Sequence, residues 1–403
     1  MSYTLFAERW GESYFIRLDS DFDTRANYIS VKSIIVVEDI SYTTPVMKLR
    51  AVDGIGDLLM HSVISPDAEY TLSIGREPLD SVSFKFSSPE ITGQPMSDGR
   101  FENVMIELTF LNNRWNKLVK ESYSRSWPNK KYSDVMQELL DEAGFEDTFV
   151  EETKKNYNII QPDWTNDHLI YWMSNNAVNM NDIPGYTFFI NINDKATFAT
   201  YDYLIKQEPK TFYKLGISDY NADHIMSNFA IEQHYNSTAL SYGYGLNASY
   251  FDYNTKSFIT EEKKFSDTSQ SQLSDWTCIS QEHETATRKM HYGRDTQTPY
   301  VAESKIAKNI NNMNTITFSV KGNHELHVGD IVDLYIFPGE YTTTLYNDRY
   351  SGYWLVTRVK HEFIMSNRLF STHVTAVRAG VNGVDLSGYV ASSTGKNITP
   401  VEW

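Results

Sequence analysis

Four stretches of the sequence carry side chains able to do chemistry. In VKGNHELHVGDIVDL, His324 and His327 stand three residues apart. A helix would bring two such imidazoles over one metal ion, whereas a strand would send them to opposite faces. The Gly-Asn before them and the Val-Gly-Asp after them, bracketed by Gly322 and Gly329, predict a turn, so the pair is not read as a metal site. In DWTCISQEHE, Cys278 precedes His283 by five residues. A catalytic thiol–imidazole pair is assembled by the fold and not by sequence neighbours, so Cys278 reads as a small, partly buried residue. Carboxylate pairs occur at Asp141-Glu142, Glu151-Glu152 and Glu261-Glu262. Adjacent acids read as solvated charge, because acid–base work needs a gap set by the fold. Last, in LVTRVKHEF, strand periodicity puts His361 on one face with Leu355, Thr357, Val359 and Phe363. An imidazole among apolar neighbours must find a hydrogen bond, which predicts a core or interface histidine. There is no H-E-x-x-H, EF-hand loop, P-loop or G-x-S-x-G. The expectation is no catalytic residue, no metal and no cofactor.

Composition narrows the classes further. The chain has 403 residues, 41% of them hydrophobic and 22% charged, which is globular and long enough for two to four domains. Lys and Arg number 36 against 52 Asp and Glu, a formal charge of −16. Phosphate contacts need cations, so this chain is not built to grip nucleic acid by charge. The acidity serves solubility, and would also suit a passage through which nucleic acid slides without sticking. The single cysteine excludes an intramolecular disulfide and fits folding in a reducing cytosol. MSYTLFAERW shows no signal-peptide pattern, and the longest strongly apolar run, Ile34 to Val37, is far below a membrane span.

The positioning elements can be read from periodicity. Val104, Ile106, Leu108 and Phe110 alternate with Met105, Glu107 and Thr109, and Val82, Phe84 and Phe86 alternate with Ser81, Ser83 and Lys85. Both predict strands with one buried face, and residues 30–41 are rich enough in β-branched side chains to predict another. The middle of the chain changes period. Ser133 is placed to cap a helix whose apolar face is Val135, Met136, Leu139, Leu140 and Ala143, with Gly144 as its stop. A second helix follows Pro162, capped by Thr165 or Asn166, with Leu169, Ile170, Trp172, Met173 and Ala177 as its stripe. Short strands are expected near 186–192 and 196–201. Residues 252–298 are polar and poorly periodic, and 301–313 predict a helix through Ile306, Ile310 and Met313. Strands return at 315–321, 353–363 and 370–377.

Three stretches together resemble the baseplate hub, or tail-tube-terminating, proteins of contractile-tailed bacteriophages, relatives of the N-terminal part of type VI secretion tip proteins. They are IIQPDWTNDHLIYWMSNNA; TYDYLIKQEP with VKGNHELHVGDIVDLYIF; and GYWLVTRVKHEF with LFSTHVTAVRAG. The resemblance covers roughly residues 100–380, and before that only the strand pattern matches. It implies an α+β, mainly β fold with two β-barrel-like tube domains flanking an α/β insert. The expected borders are 1–111 for the first tube-like domain, 112–209 for the insert with 245–300 open as its continuation, 210–244 with 301–378 for the second, and 379–403 as a flexible C-terminal arm. The family-like structural positions are Pro162, Trp164, Thr165, Trp172, Gly322, Gly329 and His361, with Trp164 and Trp172 expected to anchor the insert against itself or against a tube domain. By the same resemblance the protein forms a homotrimeric, quasi-sixfold ring in the virion that adapts a hexameric tail tube to a trimeric central spike. Its partners would be the tail tube protein, the spike protein and other baseplate proteins, with DNA passing through the channel unbound. Two other classes stay open: a tail-associated cell-wall-degrading enzyme, and a receptor- or carbohydrate-binding β protein using the 27 tyrosines.

Overall fold

Seven strands build the first unit: β1 (Tyr3–Trp10), β2 (Tyr14–Ser20), β3 (Ile29–Asp39), β4 (Val46–Asp53), β5 (Tyr70–Gly75), β6 (Val82–Gln94) and β7 (Val104–Asn112). The alternation expected in β7 is observed, with Val104, Ile106, Leu108 and Phe110 all buried. The structure, a computed structural model, describes residues 3–10, 14–20, 29–41, 43–54, 69–75, 82–94, 104–215, 224–233, 246–252, 255–263, 290–292, 303–305, 307–308, 314–336 and 350–378. Cys278, His283, Ile306, Ile310, Met313, most of 252–298 and the arm 379–403 lie outside them.

The insert begins at helix α1 (Asn113–Lys120), whose first amides at Arg114 and Trp115 donate to the Asn112 side chain at 2.9 and 3.0 Å. Next come β8 (Ser122–Lys131), α2 (Tyr132–Ala143), β9 (Thr148–Val150), β10 (Asn156–Thr165), α3 (Asn166–Asn176), β11 (Tyr186–Ile190), β12 (Ala196–Thr200) and α4 (Tyr201–Ile205). Helix α2 buries the expected face, and Gly144 ends it in the left-handed region at φ 87°. The expected cap is corrected: Ser133 lies inside the first turn, where its hydroxyl accepts from Thr153 N at 3.3 Å; the cap position is Lys131, whose side chain makes no cap bond, and the Ser133 amide is taken instead by Thr153 Oγ1 at 3.1 Å. Thr165 does occupy the cap position of α3, again without a side-chain bond. Strands β11 and β12 are buried on both faces. Tyr186, Phe188 and Phe198 face the insert core, while Phe189 and Ala199 face the neighbouring β units.

The second unit contains β13 (Pro209–Leu215), β14 (Ser227–Gln233), β18 (Asn314–Lys321), β19 (Ile331–Ile336), β20 (Gly352–Ile364) and β21 (Leu369–Arg378). Between them, β15 (Leu246–Asp252), β16 (Ser257–Lys263) and β17 (Met290–Tyr292) form a separate three-stranded sheet. The two β units share one hydrogen-bonded sheet, ordered β1-β2-β5-β6-β7-β4-β3-β20-β21-β18-β14, with β19 and β13 branching from β20. Among the described residues this path is open and runs from one unit into the other. The weld is antiparallel pairing of β3 with the second half of β20, from Arg358 opposite Asp39 to Ile364 opposite Ser33. A β-bulge between Val356 and Arg358 makes it possible. The bulge also corrects the expected strand face. Leu355 turns toward the insert, and Trp354 and Val356 continue the face of Val359, His361 and Phe363. The fold is mainly β within the α+β class.

Candidate functional site

The polar centre of the molecule grows from one strand position. Glu38 follows Ile34 and Val36 on the inward phase of β3, and its side chain is fully enclosed. A buried carboxylate is tolerated only when its oxygens are bonded. Oε1 accepts from the Ile192 amide at 3.1 Å and from His327 Nδ1 at 3.1 Å; Oε2 accepts from the Val328 amide at 3.0 Å. The carboxylate belongs to the first unit, Ile192 to the insert, and His327 and Val328 to the second unit. One side chain therefore joins all three.

Local turn chemistry aims these donors. The Asn191 side chain accepts from the amides of Asn193 and Lys195, both at 3.0 Å, which folds the β11–β12 turn and turns the Ile192 amide toward Glu38. In the 322–330 turn, Asp330 Oδ2 accepts from His327 N at 2.9 Å. Gly329 has φ +90°, and a Cβ there would stand 2.6 Å from the Phe189 ring. Only glycine serves both needs. Gly322 answers a different constraint: a Cβ would meet Phe370 at 1.9 Å.

Electrostatics follow from burial. Enclosure works to raise the Glu38 pKa, but the His327 charge and hydrogen bond, with His361 and the Val328 amide, overcome it and hold the group below its usual range. For His327, burial works downward and Glu38 outweighs it, so the ring is held above its ordinary value, with Asp330 helping and Lys210 opposing. The Asn193 amide lies 2.9 Å from His327 Nε2. It donates to a neutral ring through nitrogen, and turned over it accepts from a protonated ring through oxygen. Asp330 is raised, chiefly by its own burial. His361 differs from its neighbours. It is fully buried, Nδ1 lies 3.2 Å from Thr372 Oγ1, and Nε2 has no hydrogen-bond partner of good geometry among the described residues. Burial pushes it down to about 4, against the pull of Glu38 and, weakly, the Leu326 backbone.

An apolar half completes the junction. Ile40 from the first unit, Phe189, Ala199 and Leu204 from the insert, and Val328, Leu355 and Val377 from the second form one cluster. Phe363 and Phe370, stacked at 4.2 Å, reach from the second unit into the first unit's core, and Ile192 joins them from the insert.

The sequence-derived positions fall into two groups. Gly322, Gly329 and His361 lie at or beside this junction. Pro162, Trp164, Thr165 and Trp172 lie in the insert. Pro162 is exposed on β10 beside a bulge carried by Asp163 at φ 53°. Trp164 and Trp172 are half-buried against the insert core, 6.3 Å apart, and Trp172 meets Tyr132 edge-on at 5.6 Å. Two of the carboxylate pairs contribute anchors. Glu142 holds Arg125 at 2.9 Å, and Glu151 accepts from Thr200 N at 2.7 Å and from Asn179 at 3.0 Å. His324 and His327 are both buried in the expected turn. Among the described residues no group of three potential ligands could hold a metal ion, and no helix is long and apolar enough to cross a membrane. Glu38 and the Ile192–Asn193 turn were not singled out by sequence reasoning. The available signal was a carboxylate at an inward position of the run Ile34, Val36, Glu38, Ile40.

No protein-family model matches the chain, and no curated protein matches it by sequence. Its fold is similar to that of the tail protein from Neisseria meningitidis MC58. The TM-score is 0.56 at 8% identity, over 92% of this chain and 98% of that one. It is similar also to the 43 kDa tail protein of prophage MuSo2 from Shewanella oneidensis, with TM-score 0.54 at 10% identity, over 91% and 99%. A weaker likeness, TM-score 0.47 at 9% identity over 87% and 74%, is to the E. coli c3393 protein, a type VI secretion component described as similar to T4 tail proteins gp27 and gp5. The fold is thus that of tail proteins over nearly the whole chain.

Proposed function

We propose that this chain, having the tail-protein fold, is a structural protein of a phage-type tail, located in the virion. Its work is interface geometry and not bond chemistry. The observation that carries the reading is the β3–β20 weld. One chain fuses two strand-rich units edge to edge and locks an α/β insert against both through Glu38. A protein that must present two surfaces at a fixed angle needs such a junction. In the finer reading the two units act as tube-like domains. Three chains then supply six of them, and a trimeric hub adapts a hexameric tail tube to a trimeric spike around a DNA channel. The high ratio of acids to bases, 52 to 36, suits a lumen that DNA does not adhere to.

Light scattering across a concentration series tests the hub. A species near 140 kDa, three times 46.5 kDa, with a central pore by imaging, supports the trimer. A monomer that persists even with the spike protein added defeats it. Lytic activity on a peptidoglycan zymogram would overturn the non-enzymatic reading.

A further inference from the structure

We propose that the three-unit junction is an acid-sensitive latch: proton uptake at His361 uncouples β3 from β20 and releases the first β unit from the insert and the 322–330 turn. The inference concerns this chain alone and does not depend on its place in a tail.

The geometry disfavours a second cation. His361 sits in the middle of the weld, opposite Val36 of β3. Facing it are Glu38 from β3, His324, His327 and the Leu326 backbone from the turn, and Thr372 from β21. Beyond His327 lie Asp330 on the same turn and Lys210 on β13. Glu38 is the carboxylate that draws on both imidazoles, and its oxygens already receive the Ile192 amide, His327 Nδ1 and the Val328 amide. Its charge is matched by His327. A protonated His361 would add a positive charge beside His327 and His324 in an enclosed space. It would also need an acceptor for the second ring proton, and for Nε2 the described residues offer no bond of good geometry, the Leu326 backbone pulling on the ring only weakly. Opening the weld gives that proton to water.

The sign follows from linkage. The closed form holds His361 near 4 and the open form returns it to the ordinary value of 6.5. The open form therefore binds more protons in this window, and the closed form loses its advantage as pH falls from 6.5 toward 4. A shift of this size corresponds to an opening equilibrium that rises on the order of 10²-fold across the window. Glu38, held below its usual range, adds a separate loss at still lower pH as it protonates.

The test is amide hydrogen exchange by mass spectrometry on the full chain at several pH values from about 7 down to 4, corrected for intrinsic exchange. Protection in β3 and in residues 358–364 is expected to fall on the order of 10²-fold, while β11 and β12 keep their mutual protection. His361→Gln, which can still meet Thr372 but cannot titrate, is expected to flatten this limb. Unchanged protection at the weld in the wild type, loss spread evenly over all strands, or the same profile in His361→Gln would each overturn the proposal. Should the variant not fold, exchange of the histidine C2 hydrogen in the wild type decides. A His361 midpoint near 4 supports the latch, and one near 6.5 overturns it.

Discussion

Glu38→Ala is the sharpest perturbation of the junction. The substitution removes the acceptor of three buried donors: the Ile192 and Val328 amides and the His327 imidazole. Each orphaned amide costs about 1–3 kcal/mol. Deleting one partner of a buried ion pair costs about 3–5 kcal/mol, because the other charge is left without compensation. Water entering the vacated space offsets part of the total, so the expected loss is about 5 kcal/mol. At about 2 °C per kcal/mol for a chain of this length, the first calorimetric transition should fall by about 10 °C. Glu38→Gln keeps the volume and one acceptor oxygen, and should lose roughly half as much. A double-mutant cycle adds specificity. His327→Ala introduced into Glu38→Ala should cost about 2–3 kcal/mol less than in the wild type, since its partner is already gone. An unchanged first transition in Glu38→Ala, or strict additivity with His327→Ala, would refute the claim that this carboxylate holds the three units together.

Gly329→Ala forces a Cβ into a φ of +90° and to 2.6 Å from Phe189, and should cost about 3 kcal/mol; Phe189→Leu in the same chain should restore part of it, and calorimetry would show either. Trp172→Ala deletes a half-buried ring from the insert core and should cost about 2–3 kcal/mol, read from insert melting by near-ultraviolet circular dichroism; full retention of the insert signal and melting point would contradict its anchoring role. His327 is held above its ordinary value, so its contribution is present below 6.5 and is lost as pH rises through its folded pKa. Wild-type melting should decline on that alkaline side, and His327→Gln should show a lower but flatter profile; a parallel decline in both would count against the ion pair.

The sequence revealed elements more readily than it revealed their junction. The buried rows of β7 and β18, the apolar face of α2 and the Gly144 stop are local, since a period or a glycine reports a neighbour a few residues away. The turn through His324 and His327 was legible for the same reason. Ser133 was misplaced as a cap because Thr153, 20 residues on, engages its hydroxyl. The face containing His361 was half right, because the bulge after Val356 depends on β20 serving β19 with one end and β3 with the other. Glu38 was missed altogether. Its partners lie 154 and 289 residues away, and no local pattern could pair them.

The pairing of Glu38 with His327 explains something that apolar packing alone does not. Burial of Ile40, Phe189 and Val377 is non-directional, and such a cluster tolerates sliding of one unit over another. The β3–β20 ladder fixes two strands but leaves the insert free to tilt about them. A carboxylate that must meet two backbone amides and an imidazole ring at about 3 Å, drawn from two turns on two different units, admits one arrangement of all three units. Replacing a buried ion pair by apolar groups often raises stability, so the presence of one here fits a design for fixed relative geometry over maximal stability. That is the demand the proposed structural role places on the junction. The same requirement creates the weakness at His361: a junction built around one buried charge can be opened by a second.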